Sequence, residues 1–121
     1  MEIHKLSFCT IIIRNPQLAE VIVTEGEAIS ETHVHEYHSF LLNNLSAPFS
    51  LLVNKIHPYT YTFEAQKIIG QLKEIKAMAI VAPTSGSLLS TKILLQVNKE
   101  VNDVIKIFND RDQALNWLEQ Q

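Results

Sequence analysis

Three histidines lie close together in the sequence, at His33, His35 and His38, and histidine is a common metal ligand. On a helix that turns about 100° per residue, His33 and His35 are roughly 160° apart, so they cannot bind one ion together. His35 and His38 can share a face, but no third ligand is evident beside them. The zinc-protease spacing of two histidines four residues apart around a glutamate is absent. We therefore predict no metal site, while a response of this cluster to pH near neutrality stays open.

Motifs for nucleophilic catalysis and phosphate binding are missing. The chain has only three glycines, so neither a Gly-rich dinucleotide loop nor a P-loop is present. A G-x-S-x-G turn is also absent. The single cysteine, Cys9, stands in an apolar stretch and is interpreted as a small buried side chain. We therefore predict no catalytic residue and no cofactor, and His57 is the one candidate acid or base for an enzyme with a dispersed active site.

Two loops hold the side chains best placed to bind a ligand or partner. Ligands of open α/β sheets sit outside the carboxyl ends of parallel strands, and loops 57–62 and 83–87 each follow an apolar strand and precede a helix. The free N–H groups of a helix N-terminus suit an anion. The alternative is that Thr62, Ser85 and Ser87 only cap the helices. The candidate surface residues are His57, Tyr59, Thr60, Tyr61, Thr62, Thr84, Ser85 and Ser87.

Alternating strands and helices must position these loops. Apolar and β-branched runs predict strands at 6–14, 18–24, 49–56, 77–82 and 104–108. Helical periodicity or capping residues predict helices at about 31–45, after 62, at about 88–99 and after 110. The first two strands form a hairpin, and the order ββαβαβαβα predicts one α/β domain over residues 1–121. Its single mixed, mostly parallel sheet has four to five strands, with four helices.

The composition fits a globular protein of the cytoplasm. Hydrophobic residues make up 46% of the chain and charged residues 19%, which excludes a disordered chain. A net charge of −3 argues against a nucleic-acid binder, which needs a basic patch for phosphates. The N-terminus has no signal-peptide pattern, and no apolar run approaches the roughly 20 residues that span a bilayer. We therefore expect a cytoplasmic protein without a membrane span.

Two apolar side chains are candidates for an interface. Phe40 lies roughly 130° from the centre of the apolar stripe on the first helix, so we expect it to face away from the core. The third helix has apolar residues in nearly every direction, Leu94 among them. Exposed apolar side chains mark contact surfaces, and Phe40 and Leu94 would suit a homodimer. The alternative is that the third helix is a movable lid over an apolar ligand.

The closing segments 107–110 (IFND) and 114–118 (ALNWL) resemble the end of small bacterial SpoIIAA-like, or STAS-like, proteins. The hairpin start and the Glu25-Gly26 break before the first helix are similar too. Segment 47–66 also resembles a Bacteroidetes-type group of proteins of this length. The resemblance implies a sheet of four or five strands with helices mainly on one face.

In STAS domains of the anti-sigma-antagonist type, a serine or threonine is phosphorylated between the third strand and the second helix. The resemblance thus makes Thr60 and Thr62 candidate phosphoacceptors. The D-S-S/T-G signature of that family is absent from this chain, so only the location carries over.

Three functional hypotheses follow from these patterns. The first is a non-catalytic regulatory or protein-interaction module that binds an unknown protein partner through the two loops and the third helix. The alternative is a small carrier or sensor of an apolar or amphipathic ligand, with a pocket like that of Sec14 domains. An enzyme comes third.

Overall fold

A computed structural model describes residues 1–97 and 104–121, and these residues form eight strands and four helices. The strands are β1 (Glu2–Lys5), β2 (Cys9–Asn15), β3 (Leu18–Val23), β4 (Ala28–Ile29), β5 (Phe49–Asn54), β6 (Thr60–Tyr61), β7 (Ile75–Val81) and β8 (Ile105–Phe108). The helices are α1 (Glu31–Asn44), α2 (Phe63–Ile68), α3 (Ser85–Val97) and α4 (Arg111–Glu119). None of the helices in these described ranges is long and apolar enough to cross a membrane.

Six strands form one mixed sheet in the order β1-β2-β3-β5-β7-β8. The first three are antiparallel, and β3, β5, β7 and β8 run parallel. Successive parallel strands are added in one direction, so right-handed crossovers place α1, α2 and α3 on the same face. Helix α4 packs on the opposite face, against β5, β7 and β8. The predicted α/β class, mixed sheet and four helices are confirmed.

The sheet has more strands than the predicted four to five, because β1 precedes the expected first strand at 6–14 and was not predicted, while β2 corresponds to that expected strand. Strand β1 ends at Lys5 and β2 begins at Cys9, and the N–H of Leu6 donates to the carbonyl of Cys9 at 2.8 Å to close the turn.

Strands β4 and β6 pair in a separate two-stranded ribbon. Strands of two residues are too short to produce a recognisable alternation in the sequence.

Each face of the sheet carries its own apolar layer, since neighbouring side chains along a strand point to opposite faces. Leu51 and Ile80 lie in the layer that α1 and α2 cover, while Leu52 and Ala79 lie in the layer that α4 covers. The small side chain of Ala79 lets α4 approach the sheet closely. Both faces of β5 and β7 are therefore buried, as their continuous apolar sequences predict.

A buried ion pair fixes the start of α4 to the sheet. Glu20 on β3 is 2% exposed, and Arg111 donates to its two oxygens at 2.7 and 3.0 Å. Asn54 donates at 3.1 Å, and Arg14 Nη1 lies 3.5 Å away. Burial alone would raise the pKa of Glu20, but hydrogen bonds from Arg111 and Asn54 and the charges of both arginines hold that pKa below its usual value. The carboxylate therefore stays charged at neutral pH.

Phe40 and Leu94 do not face outward as predicted. Strand β1 was not predicted, and Phe40 packs against the core with the ring of His4 on β1 5.0 Å away. Leu94 is a buried residue of α3. The large apolar side chains that α3 exposes are Leu89 and Ile93, at 62% and 45%. The homodimer stays a prediction, but Leu94 is buried and Phe40 is only partly exposed.

Candidate ligand-binding site

The loops that follow β5 and β7 line one groove at the carboxyl edge of the sheet, with a volume of about 440 Å³. The first loop contributes His57 and Tyr59, and the second contributes Thr84 and Ser87. Half of the eight predicted surface residues are therefore brought together. They meet because β5 and β7 are parallel neighbours, so their carboxyl ends lie side by side.

The other four predicted residues lie around this groove without lining it. Thr60 is exposed on β6, and Ser85 is exposed at the first residue of α3. Thr62 caps α2, because its Oγ1 accepts from the N–H of Ala65 at 3.2 Å. Tyr61 is partly buried and turns its ring toward the interior. Of the two candidate phosphoacceptors, Thr60 is thus the exposed one, and Thr62 is held in a cap.

Thr84 and Ser87 form a reciprocal cap at the start of α3. Thr84 Oγ1 accepts from the N–H of Ser87 at 3.1 Å, and Ser87 Oγ accepts from the N–H of Thr84 at 3.1 Å. The two hydroxyl oxygens are 2.9 Å apart. These bonds satisfy backbone groups that a helix start leaves free. Thr62 and Ser87 therefore both take part in helix caps, as the alternative interpretation of these residues predicted. The cap of α3 also fixes one wall of the groove.

Lys55, which was not predicted from the sequence, lies between this groove and the core. The residue is only 5% exposed, and its Nζ lies 5.3 and 5.5 Å from the ring centroids of Tyr59 and Tyr61. Both distances fit a cation–π contact. Within residues 1–97 and 104–121, no carboxylate or hydrogen-bond acceptor contacts this amine. Burial lowers the pKa of Lys55 to about 8.

Beneath the groove, between the sheet and α3, lies an apolar cavity of about 40 Å³. Val53 and Ile80 line it from the strands, and Leu94 lines it from the helix. Lys55 and Tyr59 line both the cavity and the groove. Lys55 therefore lies at the boundary between the apolar cavity and the polar groove.

Two tyrosines form the aromatic wall beside this amine. The rings of Tyr59 and Tyr61 meet edge to face with centroids 5.6 Å apart, and the hydroxyl of Tyr61 donates to that of Tyr59 at 3.5 Å. Burial raises the pKa of Tyr61 to about 12 and that of Tyr59 well above its usual value. Both phenols are therefore neutral at physiological pH, so neither supplies a negative charge to Lys55.

The two-stranded ribbon holds these aromatic residues in place. Ile29 on β4 pairs with Tyr61 on β6, and the N–H of Thr60 donates to the carbonyl of Glu27 at 2.9 Å. The ribbon thus fixes the loop after β5 across the mouth of the cavity. At the end of β5, Asn54 points to the α4 face, where it bonds Glu20, so the next residue, Lys55, points to the cavity.

The three clustered histidines have separate roles. His33 Nδ1 accepts from the N–H of Ser30 at 3.1 Å and completes the cap of α1. His38 Nε2 donates to the carbonyl of Ile69 at 3.1 Å, and burial lowers the pKa of His38. His35 is exposed. Over the part of the chain that the structure describes, no group of three or more histidine, cysteine or acidic side chains is arranged to hold a metal ion.

Comparison with protein-family models, with curated proteins and with solved structures gave no significant match for this chain. The resemblance to STAS-like proteins therefore stays a prediction. The functional proposal below rests on the geometry of the groove, the cavity and Lys55.

Proposed function

We propose that this chain is a small-molecule-binding module, acting as a carrier or sensor of a small amphipathic ligand. The observation that supports the proposal is Lys55, a buried amine with no counter-charge among the described residues. Such a group costs the folded state free energy, because a buried charge needs a partner to offset its lost hydration. Strongly shifted ionisable groups in clefts are typical of functional sites. A ligand that contacts the amine would explain why it is there.

The dimensions of the site limit the size of the ligand. The 40 Å³ cavity has space for roughly three water molecules, far less than the roughly 300–1,000 Å³ of a site for a drug-sized molecule. It does not hold a lipid chain, so a Sec14-like pocket is not favoured. The groove above is about ten times larger and carries hydroxyls. We therefore propose a ligand with a short apolar group in the cavity and a polar part in the groove.

Native mass spectrometry of the protein purified gently from its host cells tests this proposal. We expect the wild type to retain an added mass of metabolite size, and Lys55→Met to lose it. Lys5→Met is the matched control, since Lys5 is an exposed lysine on the edge strand β1, and it should retain the mass. An added mass held equally by wild type and Lys55→Met would contradict a site at Lys55.

A protein-interaction module is the second candidate, and the exposed side of α3 supports it. Leu89 and Ile93 are 62% and 45% exposed and lie four residues apart, on one face of the helix. An exposed apolar strip of this kind suits a protein partner. If the wild type shows no added mass but forms an oligomer that Leu89→Asp disrupts, the interaction module is the better description.

A further inference from the structure

The surroundings of Lys55 suit an amine that reacts as well as binds. A lysine beside a carboxylate is held as ammonium, whereas a lysine buried among apolar groups loses its proton more readily. Lys55 is of the second kind in the described structure, with tyrosine rings and aliphatic side chains around it. Neutral lysine amines in apolar pockets are the nucleophiles that form Schiff bases with carbonyl compounds.

We propose that Lys55 captures a small aldehyde as an imine, a step that rests on the proposed function and specifies the chemistry of its ligand. The Nζ lone pair attacks the carbonyl carbon and forms a carbinolamine. The carbonyl oxygen then leaves as water together with the two amine hydrogens, and a carbon–nitrogen double bond remains. The step changes no oxidation state and needs no co-reactant. An imine is reversible in water, so this site would hold and release its ligand.

The cavity provides the conditions that this step requires. Its walls include the apolar side chains of Val53, Ile80 and Leu94, and an apolar lining disfavours the water that would hydrolyse the imine. With a pKa of about 8, about a tenth of the amine is neutral at pH 7, on the order of a hundredfold more than for an exposed lysine. The volume of about 40 Å³ favours an aldehyde of a few carbon atoms.

Trapping with a short aldehyde tests the proposal. The full-length protein is incubated with butanal and sodium cyanoborohydride at pH 7, and the reduced adduct is located by intact-mass and peptide mass spectrometry. We expect the adduct on Lys55 to form on the order of a hundredfold faster than the adduct on the exposed Lys5. The α-amino group of the chain also reacts with aldehydes under these conditions, so its adduct is located by peptide mass spectrometry and scored separately. Butan-1-ol, which has the same chain without a carbonyl group, should slow the labelling of Lys55 by competing for the cavity.

Two variants separate the covalent step from simple binding. Lys55→Met removes the amine, and Lys55→Arg keeps a positive charge but has no amine that forms an imine under these conditions. Both should lose the fast adduct. If the folded wild type instead carries adducts spread over its exposed lysines, the proposal that Lys55 forms an imine is wrong.

The ligand mass retained from host cells then shows which proposal has failed. If labelling is unselective but Lys55→Met still loses the retained mass, the binding site stands without the covalent step. If labelling is unselective and Lys55→Met keeps the mass, both proposals are wrong.

Discussion

At the scale of single residues, Lys55 is a destabilising group whose presence the proposed function would explain. Its amine is buried at the carboxyl edge of the sheet, and its only described partners are the faces of Tyr59 and Tyr61. Cation–π contacts stabilise a charge by about 0.5–2 kcal/mol, which is less than the cost of removing an ammonium from water. Natural proteins keep such unfavourable groups mainly where activity requires them.

Replacing Lys55 by methionine should therefore stabilise the protein. Folding lowers the pKa from 10.5 to about 8, and at 1.36 kcal/mol per pKa unit this costs about 3 kcal/mol at neutral pH. Because tyrosine contacts offset part of that cost, we expect Lys55→Met to raise the free energy of unfolding by about 1–3 kcal/mol at pH 7, measured by urea denaturation. Lys5→Met should leave it nearly unchanged.

The gain from Lys55→Met should depend on pH with a definite sign. The folded-state pKa is depressed, so the contribution of Lys55 to stability is lowest below pH 8 and rises as the pH rises from about 8 to 10.5. The difference between the two proteins should therefore shrink over this window. A variant that is less stable than the wild type at pH 7 would show that packing of the lysine methylenes outweighs the buried charge.

At the scale of elements, the strand and helix pattern was largely predictable. The first helix begins at Glu31, as predicted, with Ser30 as its N-cap, and the hairpin of β2 and β3 also lies where it was predicted. The ribbon of β4 and β6 was not predicted, because its strands pair residues far apart in sequence and only two residues long. The start of α3 is three residues earlier than predicted, at Ser85 rather than Leu88.

The location of the site was predictable, but its central residue was not. Parallel strand order alone places loops 57–62 and 83–87 at one edge. The direction of the Lys55 side chain depends on register, since a shift of one residue would exchange its position with that of Asn54 and turn it toward α4. The one sequence feature that marks Lys55 is its position directly after a continuously apolar strand. A lysine at a solvated strand end has the same pattern, so the sequence does not distinguish the two.

The attachment of α4 to the sheet gives a prediction at this same scale. Glu20→Ala should lower the free energy of unfolding by about 1–3 kcal/mol, because Arg111 and Asn54 would lose the carboxylate that accepts their hydrogen bonds, while the partly exposed Arg111 remains solvated. The double variant Glu20→Leu with Arg111→Met should lower the free energy of unfolding less than Glu20→Ala alone. It removes both members of the ion pair, so no arginine is left without its carboxylate. Urea denaturation measures both, and equal losses would mean that side-chain packing, not charge, dominates here.

At the scale of the whole molecule, the fold separates support from function. Helix α4 and the ion pair of Glu20 hold one face of the sheet, while α3 and the ribbon enclose Lys55 at the edge of the other. The face that α3 and the ribbon cover contains the small cavity and the adjoining groove. If the proposed binding function holds, substitutions around the cavity and groove would change the ligand without altering the layer that holds α4.

The central claim is that the fold keeps a buried amine at the carboxyl edge of the sheet, with no counter-charge among the described residues. A direct test is the titration of the Lys55 side chain by nuclear magnetic resonance, with its signal assigned by its absence in Lys55→Met. The structure predicts a pKa of about 8. A pKa near the ordinary value of 10.5 would contradict the claim, since it would mean that the amine reaches solvent or an anion and does not differ from a surface lysine.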